Sequence, residues 1–147
     1  MNDVDILKKI EKKVLWLACW MIHNANHIRE NQDGLKVGGH QASSASIVSI
    51  MTALYFNILR PEDRVAVKPH ASPVFHAIQY LSGLQTKEKI ENFRGFGGAQ
   101  SYPSRTKDID DVDISTGSVG LGVAMTSFIS LIQDYVARKN FQFGFEQ

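Results

Sequence analysis

Residues 63–83 read DRVAVKPHASPVFHAIQYLSG, and within this stretch an alternating pattern changes abruptly to a helical one. Arg64 to Val67 alternates around two valines, which predicts a short strand. Ser72 and Pro73 then provide an N-cap and a first-turn proline for a helix that Gly83 closes. A strand followed at once by a helix is typical of an open α/β sheet, in which ligands bind beyond the carboxyl ends of the strands.

Helical periodicity dominates on both sides of this stretch. Apolar residues recur at three- and four-residue intervals from Val4 to Asn31, and the almost entirely apolar residues 47–59 suit a helix that is buried on most of its surface. Thr86 begins a further short helix, and the pattern predicts one long helix from Val119 to Arg138. The apolar face of that last helix comprises Leu121, Ala124, Met125, Phe128, Leu131, Ile132 and Tyr135.

The predicted order of elements is helix, helix, strand, helix, helix, long loop, helix. This order indicates the α/β class. Because one strand cannot make a sheet, we expect the chain to be a helix-rich part of a parallel-sheet domain. Residues 94–116 have no periodicity, and long loops of this kind usually carry function or are disordered.

Composition narrows the functional classes. The chain has 147 residues, with 16 Lys and Arg against 15 Asp and Glu, so it lacks the basic field that drives nucleic-acid binding. The single Cys19 excludes an intramolecular disulfide framework. The first residues lack the basic start of a secretory signal, and no apolar run approaches the roughly 20 residues that cross a bilayer. We therefore expect a cytoplasmic protein with neither nucleic acid nor membrane as partner.

Two histidines stand beside features that bring backbone close to a ligand. His40 follows Gly38 and Gly39, and paired glycines allow a close backbone approach. His70 lies at the carboxyl end of the predicted strand, beside a helix N-terminus that favours anions. Each has an ordinary alternative, since an exposed loop histidine or a turn histidine bonded to backbone gives the same local sequence.

A glycine-rich segment precedes the last helix. TGSVGLG at residues 116–122 is not a P-loop, because the Gly-Lys-Ser/Thr ending is missing. Its glycines either let the helix pack closely or present backbone N–H groups to a phosphate or a polar heterocycle. The local sequence leaves both interpretations open.

Metal ligation has little support in the sequence. His23 and His27 are four residues apart on one helix, but no third ligand stands at a recognisable spacing. His76 lies inside an apolar helix, which predicts a core histidine with satisfied hydrogen bonds. Four aspartates lack the spacing and the closing glutamate of an EF-hand and indicate a solvated loop: Asp108, Asp110, Asp111 and Asp113. No metal ligand is assigned.

Taken together, four segments resemble the transketolase family of thiamine diphosphate enzymes. They are GGHQASSASI (38–47), the opening stretch 63–83, NFRGFGGAQSYPSR (92–105) and STGSVGLGVAMTSF (115–128). The family pattern is a Gly-His loop, a strand that ends in a second histidine motif, and Thr-Gly-x-x-Gly-x-Gly at the start of a helix. The third segment is similar to the branch that contains the homodimeric decarboxylating component of pyruvate dehydrogenase.

The resemblance implies roles for individual residues. His40 would assist proton transfers and hold substrate oxygen, and His70 would act near both the substrate and the cofactor's diphosphate. The cofactor would also contact Gly117, Ser118, Val119 and Gly120. Ser104 and Arg105 follow SYP where that branch has a substrate histidine, so they are the candidate substrate-binding residues. The implied cofactors are thiamine diphosphate and magnesium, with a 2-oxo acid such as pyruvate as substrate.

One family motif is missing. No Gly-Asp-Gly, which with a later Asn holds the magnesium and diphosphate, occurs in the 147 residues. We therefore expect residues 1–147 to be a single partial domain, an N-terminal piece that neither binds the cofactor stably nor catalyses alone. An incomplete sheet leaves apolar faces uncovered, which predicts a homo-oligomer. The alternatives are a piece of a ketose transketolase, acting on a ketose phosphate, and a non-catalytic binding or assembly protein on the same scaffold.

Overall fold

The computed structural model describes residues 3–31 and 34–139. The described residues form five α-helices and a short 3₁₀ turn, in the order α1 (Asp3–His23), α2 (Gln41–Ala53), the turn Pro69–Ala71, α3 (Ser72–Leu81), α4 (Lys87–Glu91) and α5 (Leu121–Arg138). Both α1 and α2 widen at their carboxyl ends into one π-helical turn, over Asn24–Ile28 and Leu54–Ile58. No helix in the described ranges is long and apolar enough to cross a membrane.

Helices α1, α2 and α3 pack against one another and enclose the core. α3 is its centre, since every residue from Ser72 to Gln79 is buried. A helix with apolar side chains on nearly all sides is stable only when other elements surround it, and here α1 and α2 contribute Val14, Met21 and Val48.

The start of α3 differs from the prediction by one residue. Ala71 is the N-cap and makes no side-chain capping bond, whereas Ser72 is the first helical residue and Pro73 follows it. The predicted Ser72 cap is therefore wrong. The 3₁₀ turn Pro69–Ala71 leads directly into α3, and its Ala71 N–H donates to the Lys68 carbonyl at 2.8 Å.

The predicted strand at residues 64–67 does not form in the described chain, which contains no β-sheet. Val65 instead donates its backbone N–H to the Asp113 carboxylate at 2.9 Å. A strand needs a neighbour to complete its ladder of hydrogen bonds, and no described segment lies alongside as a partner strand. The helix-rich character is confirmed, and the α/β sheet is not shown.

Two helices expose more apolar surface than predicted. α2 buries one face only, through Ser44, Val48, Met51 and Thr52. α5 buries none of its residues, and Phe128 and Leu131 of its predicted apolar face are 66% and 63% exposed. Periodicity gave the helices but not their degree of burial, and the predicted helix 47–59 starts too late, because α2 begins at Gln41.

A buried ion pair anchors the long loop to the core. His76 of α3 places Nδ1 2.5 Å from the Asp110 carboxylate and Nε2 2.7 Å from the Gln100 carbonyl oxygen, with both side chains of the pair fully buried. The prediction of a satisfied core histidine is confirmed. The prediction of a solvated aspartate cluster is wrong for Asp110, because its carboxylate is buried in the core.

Candidate active site

A glycine pair at residues 38–39 positions His40 at the start of α2. The side chain of Asn26, in the π-turn after α1, accepts a hydrogen bond from the Gly38 N–H and donates one to the Gly38 carbonyl, both at 2.9 Å. Gly39 has φ +123° and lies so close to Ile22 that an added Cβ would be 3.0 Å from its side chain. Only glycine fits this position without strain, so the loop brings His40 close over α1.

His70 lies opposite His40. The two imidazole rings stack with their centroids 5.4 Å apart and their planes inclined by 24°. The Ser44 hydroxyl of α2 donates to the His70 carbonyl at 3.3 Å, which ties the 3₁₀ turn to the helix that begins at His40. The fold thus brings together the two histidines that the sequence singled out 30 residues apart.

The two rings line a small cavity of about 140 Å³, which we call the imidazole cavity. Its other walls are Gly39, Pro69, Ser72, Pro73, Phe93, Arg94, Tyr102 and Ser118. Three polar atoms of its lining residues are buried without a hydrogen-bond partner: His70 Nδ1, Ser72 Oγ and Arg94 Nε. Buried polar atoms are normally paired, so unpaired atoms around one cavity indicate a place where a polar ligand would complete the set.

Arg94 is the residue that local sequence reasoning missed. It is the one described non-glycine residue with positive φ, 61°, a conformation that costs of order 1–3 kcal/mol and tends to occur at functional sites. Its Nη1 donates to the Val37 carbonyl at 2.5 Å, so the guanidinium also holds the loop that leads to His40. The available signal was the NFR…SYP segment, which contains both Arg94 and the cavity residue Tyr102.

The glycine-rich segment contributes to two cavities. Ser118 lines the imidazole cavity, whereas Gly117 and Gly120 line a neighbouring cavity of about 180 Å³ together with Lys68. Val119 is 91% exposed. Of the four predicted cofactor residues, only Ser118 belongs to the histidine site, and Val119 lines neither of these two cavities.

The candidate substrate residues Ser104 and Arg105 lie elsewhere. The backbone N–H of Ser104 donates to the Asp108 carboxylate at 2.7 Å, and that of Arg105 donates to the Ser115 hydroxyl at 2.9 Å. Arg105 lines another cavity, beside Arg64 and Asp113. The structure does not bring these two residues to the imidazole cavity, and their substrate role stays a prediction.

The described ranges contain no metal site: no three His, Cys, Asp or Glu side chains are arranged there to hold an ion. His23 and His27 do meet, with ring centroids 4.9 Å apart. The aspartates of the long loop have separate partners: Asp108 accepts from Ser104, Asp110 pairs with His76, and Asp113 accepts from Val65.

The imidazole cavity can bind and orient a small oxygen-rich group. Two imidazoles can donate, accept or pass a proton near neutral pH, while a guanidinium and a hydroxyl add donors. No carboxylate lines the cavity. Pockets that enclose a drug-sized ligand measure about 300–1,000 Å³, so a cavity of 140 Å³ matches a fragment of such a molecule.

Comparison with known proteins gives a consistent set of relatives. The chain is 30% identical over 132 residues to the pyruvate dehydrogenase E1 component of Mycobacterium tuberculosis. It is 30% identical over 149 residues to the protein of that name from Pseudomonas aeruginosa, and 27% over 130 residues to that from Escherichia coli K12. These matches cover 82–95% of the chain but only 14–16% of each relative. No protein-family model matches the chain.

Proposed function

We propose that this chain forms one wall of a thiamine diphosphate site in a protein of the transketolase family, on the branch of the pyruvate dehydrogenase E1 components. The stacked pair His40–His70 at a cavity with unpaired polar atoms is the observation that carries the proposal. The similarity to E1 components over most of the chain supports the same branch. A cytoplasmic location remains a prediction.

The residues present fit part of the cofactor. The unpaired Nδ1 of His70 and the hydroxyl of Ser72 suit phosphate or substrate oxygens, because both can donate to an oxyanion. Gly117, Ser118, Val119 and Gly120 form the edge that would meet the ring system. The described residues offer no carboxylate set for magnesium, so we assign the metal no ligand in this chain.

Within such a site the imidazoles act on oxygen atoms and protons. When bound, thiamine diphosphate supplies the carbon–carbon bond chemistry, and the protein supplies orientation and charge stabilisation. His40, exposed at the N-cap of α2, would hold an oxygen of a 2-oxo acid and pass a proton there. His70 is half-buried, and its backbone carbonyl accepts a hydrogen bond from the Ser44 hydroxyl. Its ring would stack on that of His40 and donate to a cofactor oxygen.

Thiamine diphosphate with magnesium is expected to bind the 147-residue chain weakly, with a Kd of about 1 mM or above, because only part of the contact surface is present. Titration followed by NMR should shift the His40, His70 and Ser118 signals, and His70→Ala should abolish these shifts. His27→Ala, which changes an exposed histidine outside the cavity, is the matched control. No release of carbon dioxide from pyruvate is expected. Unchanged His40 and His70 signals at saturating cofactor would contradict the proposal.

A non-catalytic binding role is the second candidate, and the cavity lining favours it because it contains no carboxylate. That role predicts that small oxyanions bind at His70 whereas the complete cofactor does not. Nothing in the site favours a ketose phosphate, since Arg105 lies outside the cavity.

We also propose that copies of the chain associate through α5. Gly122, Thr126 and Ile129 of the helix line cavities together with residues 64–66, and a Cβ at Gly122 would lie 3.4 Å from that of Ala66, so the apolar stripe faces away from the molecule. The stripe consists of Leu121, Phe128, Leu131 and Ile132, all exposed. An exposed apolar stripe of this kind marks an interaction surface.

Light scattering after gel filtration is expected to give a mass above that of the monomer. The double substitution Phe128→Glu and Leu131→Glu should shift the protein to monomer, because two carboxylates cannot be buried in an apolar contact. Ala137→Glu, which changes an exposed residue on another side of α5, should leave the mass unchanged. A monomeric native chain would refute the association.

A further inference from the structure

A second cleft lies on the other side of Arg94 from the imidazole cavity. Its volume is about 660 Å³. The walls are the loop residues Arg94, Gly95 and 97–101, Lys89 of α4, Lys107 from the long loop, and Val37. We call it the oxyanion cleft. Arg94 is the shared wall, since it lines both spaces.

The cleft carries positive charge without a counter-charge. Lys89, Arg94 and Lys107 line it, and no acidic side chain does. None of the three takes part in the ion pairs Arg64–Asp113, His76–Asp110 and Lys87–Glu91 of the described residues. Three neighbouring cations repel one another, and a bound anion would remove that repulsion.

Two of the cations are held in place and still have free donors. Lys89 Nζ donates one hydrogen bond, to the Gly97 carbonyl at 2.7 Å, and an ammonium has three donors. Arg94 uses Nη1 on the Val37 carbonyl, while its Nη2 makes no hydrogen bond within the described residues. A guanidinium N–H group without an acceptor is the kind of group that a phosphate oxygen satisfies.

The loop that carries these groups is rigidly tied. Arg94 N–H donates to the Ala99 carbonyl at 2.9 Å, and Ala99 N–H donates to the Lys89 carbonyl at 2.9 Å. The Gly98 N–H closes a tighter turn on the Gly95 carbonyl at 3.0 Å. The cleft is therefore preformed, and a ligand would not need to order it.

We propose that the oxyanion cleft binds a small phosphate-bearing ligand. Three cations suit a phosphate, which carries more charge than a monocarboxylate and accepts several hydrogen bonds at once. A volume of 660 Å³ lies in the range of small-molecule pockets. The proposal does not depend on thiamine diphosphate, because neither Lys89 nor Lys107 lines the imidazole cavity.

Calorimetric titration of the 147-residue chain with inorganic phosphate at low ionic strength tests this site. Saturable binding is expected, and Lys107→Gln should weaken it about tenfold, the usual size of one charge-assisted hydrogen bond. Lys107 is exposed, so its removal should leave the fold intact; Lys89→Gln should act in the same direction. A parallel titration with glycerol phosphate shows which kind of phosphate ligand the cleft recognises. Tighter binding than that of inorganic phosphate indicates a phosphate ester, and equal binding indicates that only the phosphate group is recognised.

Two controls make the result specific. Lys87→Gln removes a lysine of α4 that pairs with Glu91 at 3.5 Å and does not line the cleft, and it should leave phosphate affinity unchanged. Phosphate binding that depends on Lys107 should persist in His70→Ala, which removes the proposed oxyanion contact of the imidazole cavity and so separates the two sites. The proposal is overturned if phosphate does not bind saturably, if acetate binds equally well, or if Lys87→Gln weakens binding as much as Lys107→Gln.

Discussion

Asp110→Ala is expected to lower the free energy of unfolding by about 3–5 kcal/mol, the usual loss when one partner of a buried ion pair is removed. Both ring nitrogens of His76 face oxygen atoms, Nδ1 the Asp110 carboxylate and Nε2 the Gln100 carbonyl. Without Asp110, Nδ1 would be buried with no hydrogen-bond partner. Urea unfolding followed by circular dichroism at pH 7 measures the loss.

Two further substitutions test the explanation. Asp110→Asn should cost less than Asp110→Ala, because a carboxamide can donate to Nδ1 of a neutral ring and keep one hydrogen bond. Asp111→Ala changes the exposed neighbour of Asp110 and should alter stability by less than about 0.5 kcal/mol. An effect of Asp110→Ala as small as that of Asp111→Ala would show that the pair does not anchor the loop.

The same pair gives a pH dependence. Burial alone would raise the pKa of the Asp110 carboxyl, but its hydrogen bond and charge interaction with His76 outweigh burial and lower that pKa. A lowered folded-state pKa stabilises the protein above the unfolded value of about 3.9, and this contribution is lost as pH falls through the folded value. The stability advantage of the native chain over Asp110→Asn should therefore shrink below about pH 4.

Gly98→Ala is expected to destabilise the chain by about 3 kcal/mol, as overpacking against immovable atoms does. A Cβ at Gly98 would lie 1.8 Å from the backbone oxygen of Asn92 and 2.5 Å from its carbonyl carbon. That carbonyl also accepts from the Gly95 N–H at 2.8 Å, so it cannot turn away without breaking the turn.

Gly117→Ala is the matched control, because nothing lies within 4 Å of the Cβ position and the φ of Gly117 is not positive. It should change stability by no more than about 0.5 kcal/mol. The midpoints of thermal unfolding of both variants give the comparison. Equal midpoints for Gly98→Ala and the native chain would mean that residues 92–98 pack differently.

Periodicity predicted the helices because a repeat of 3.6 residues is a local property. It placed α1, α3 and α5 within a few residues, and Thr86 caps α4 by accepting from the Lys89 N–H at 3.3 Å. The burial of a helix face, in contrast, is not a local property of the sequence. The face of α5 was recognised correctly, but which neighbour would cover it depends on elements far away in the sequence.

The prediction of a strand at residues 64–67 was wrong for a related reason. Val65 and Val67 have the residue types of a strand, but a strand exists only with a partner, and the Val65 N–H finds the Asp113 side chain instead. In the site, only the resemblance to the transketolase family implied that His40, His70 and Ser118 belong to one site, and the three residues line one cavity. Arg94 escaped notice because its role depends on a left-handed backbone and a bond to Val37, neither of which has a local pattern.

The π-turn after α1 makes the position of His40 sensitive to the length of a helix. In that turn Arg29 N–H donates to the Asn24 carbonyl, five residues back, and the Asn26 side chain is free to bond both Ile22 and Gly38. Removing one residue from this turn would restore ordinary helical register and rotate Asn26 by about 100° away from the glycine loop. A single-residue indel in a helix could thus dismantle the imidazole pair without touching either histidine.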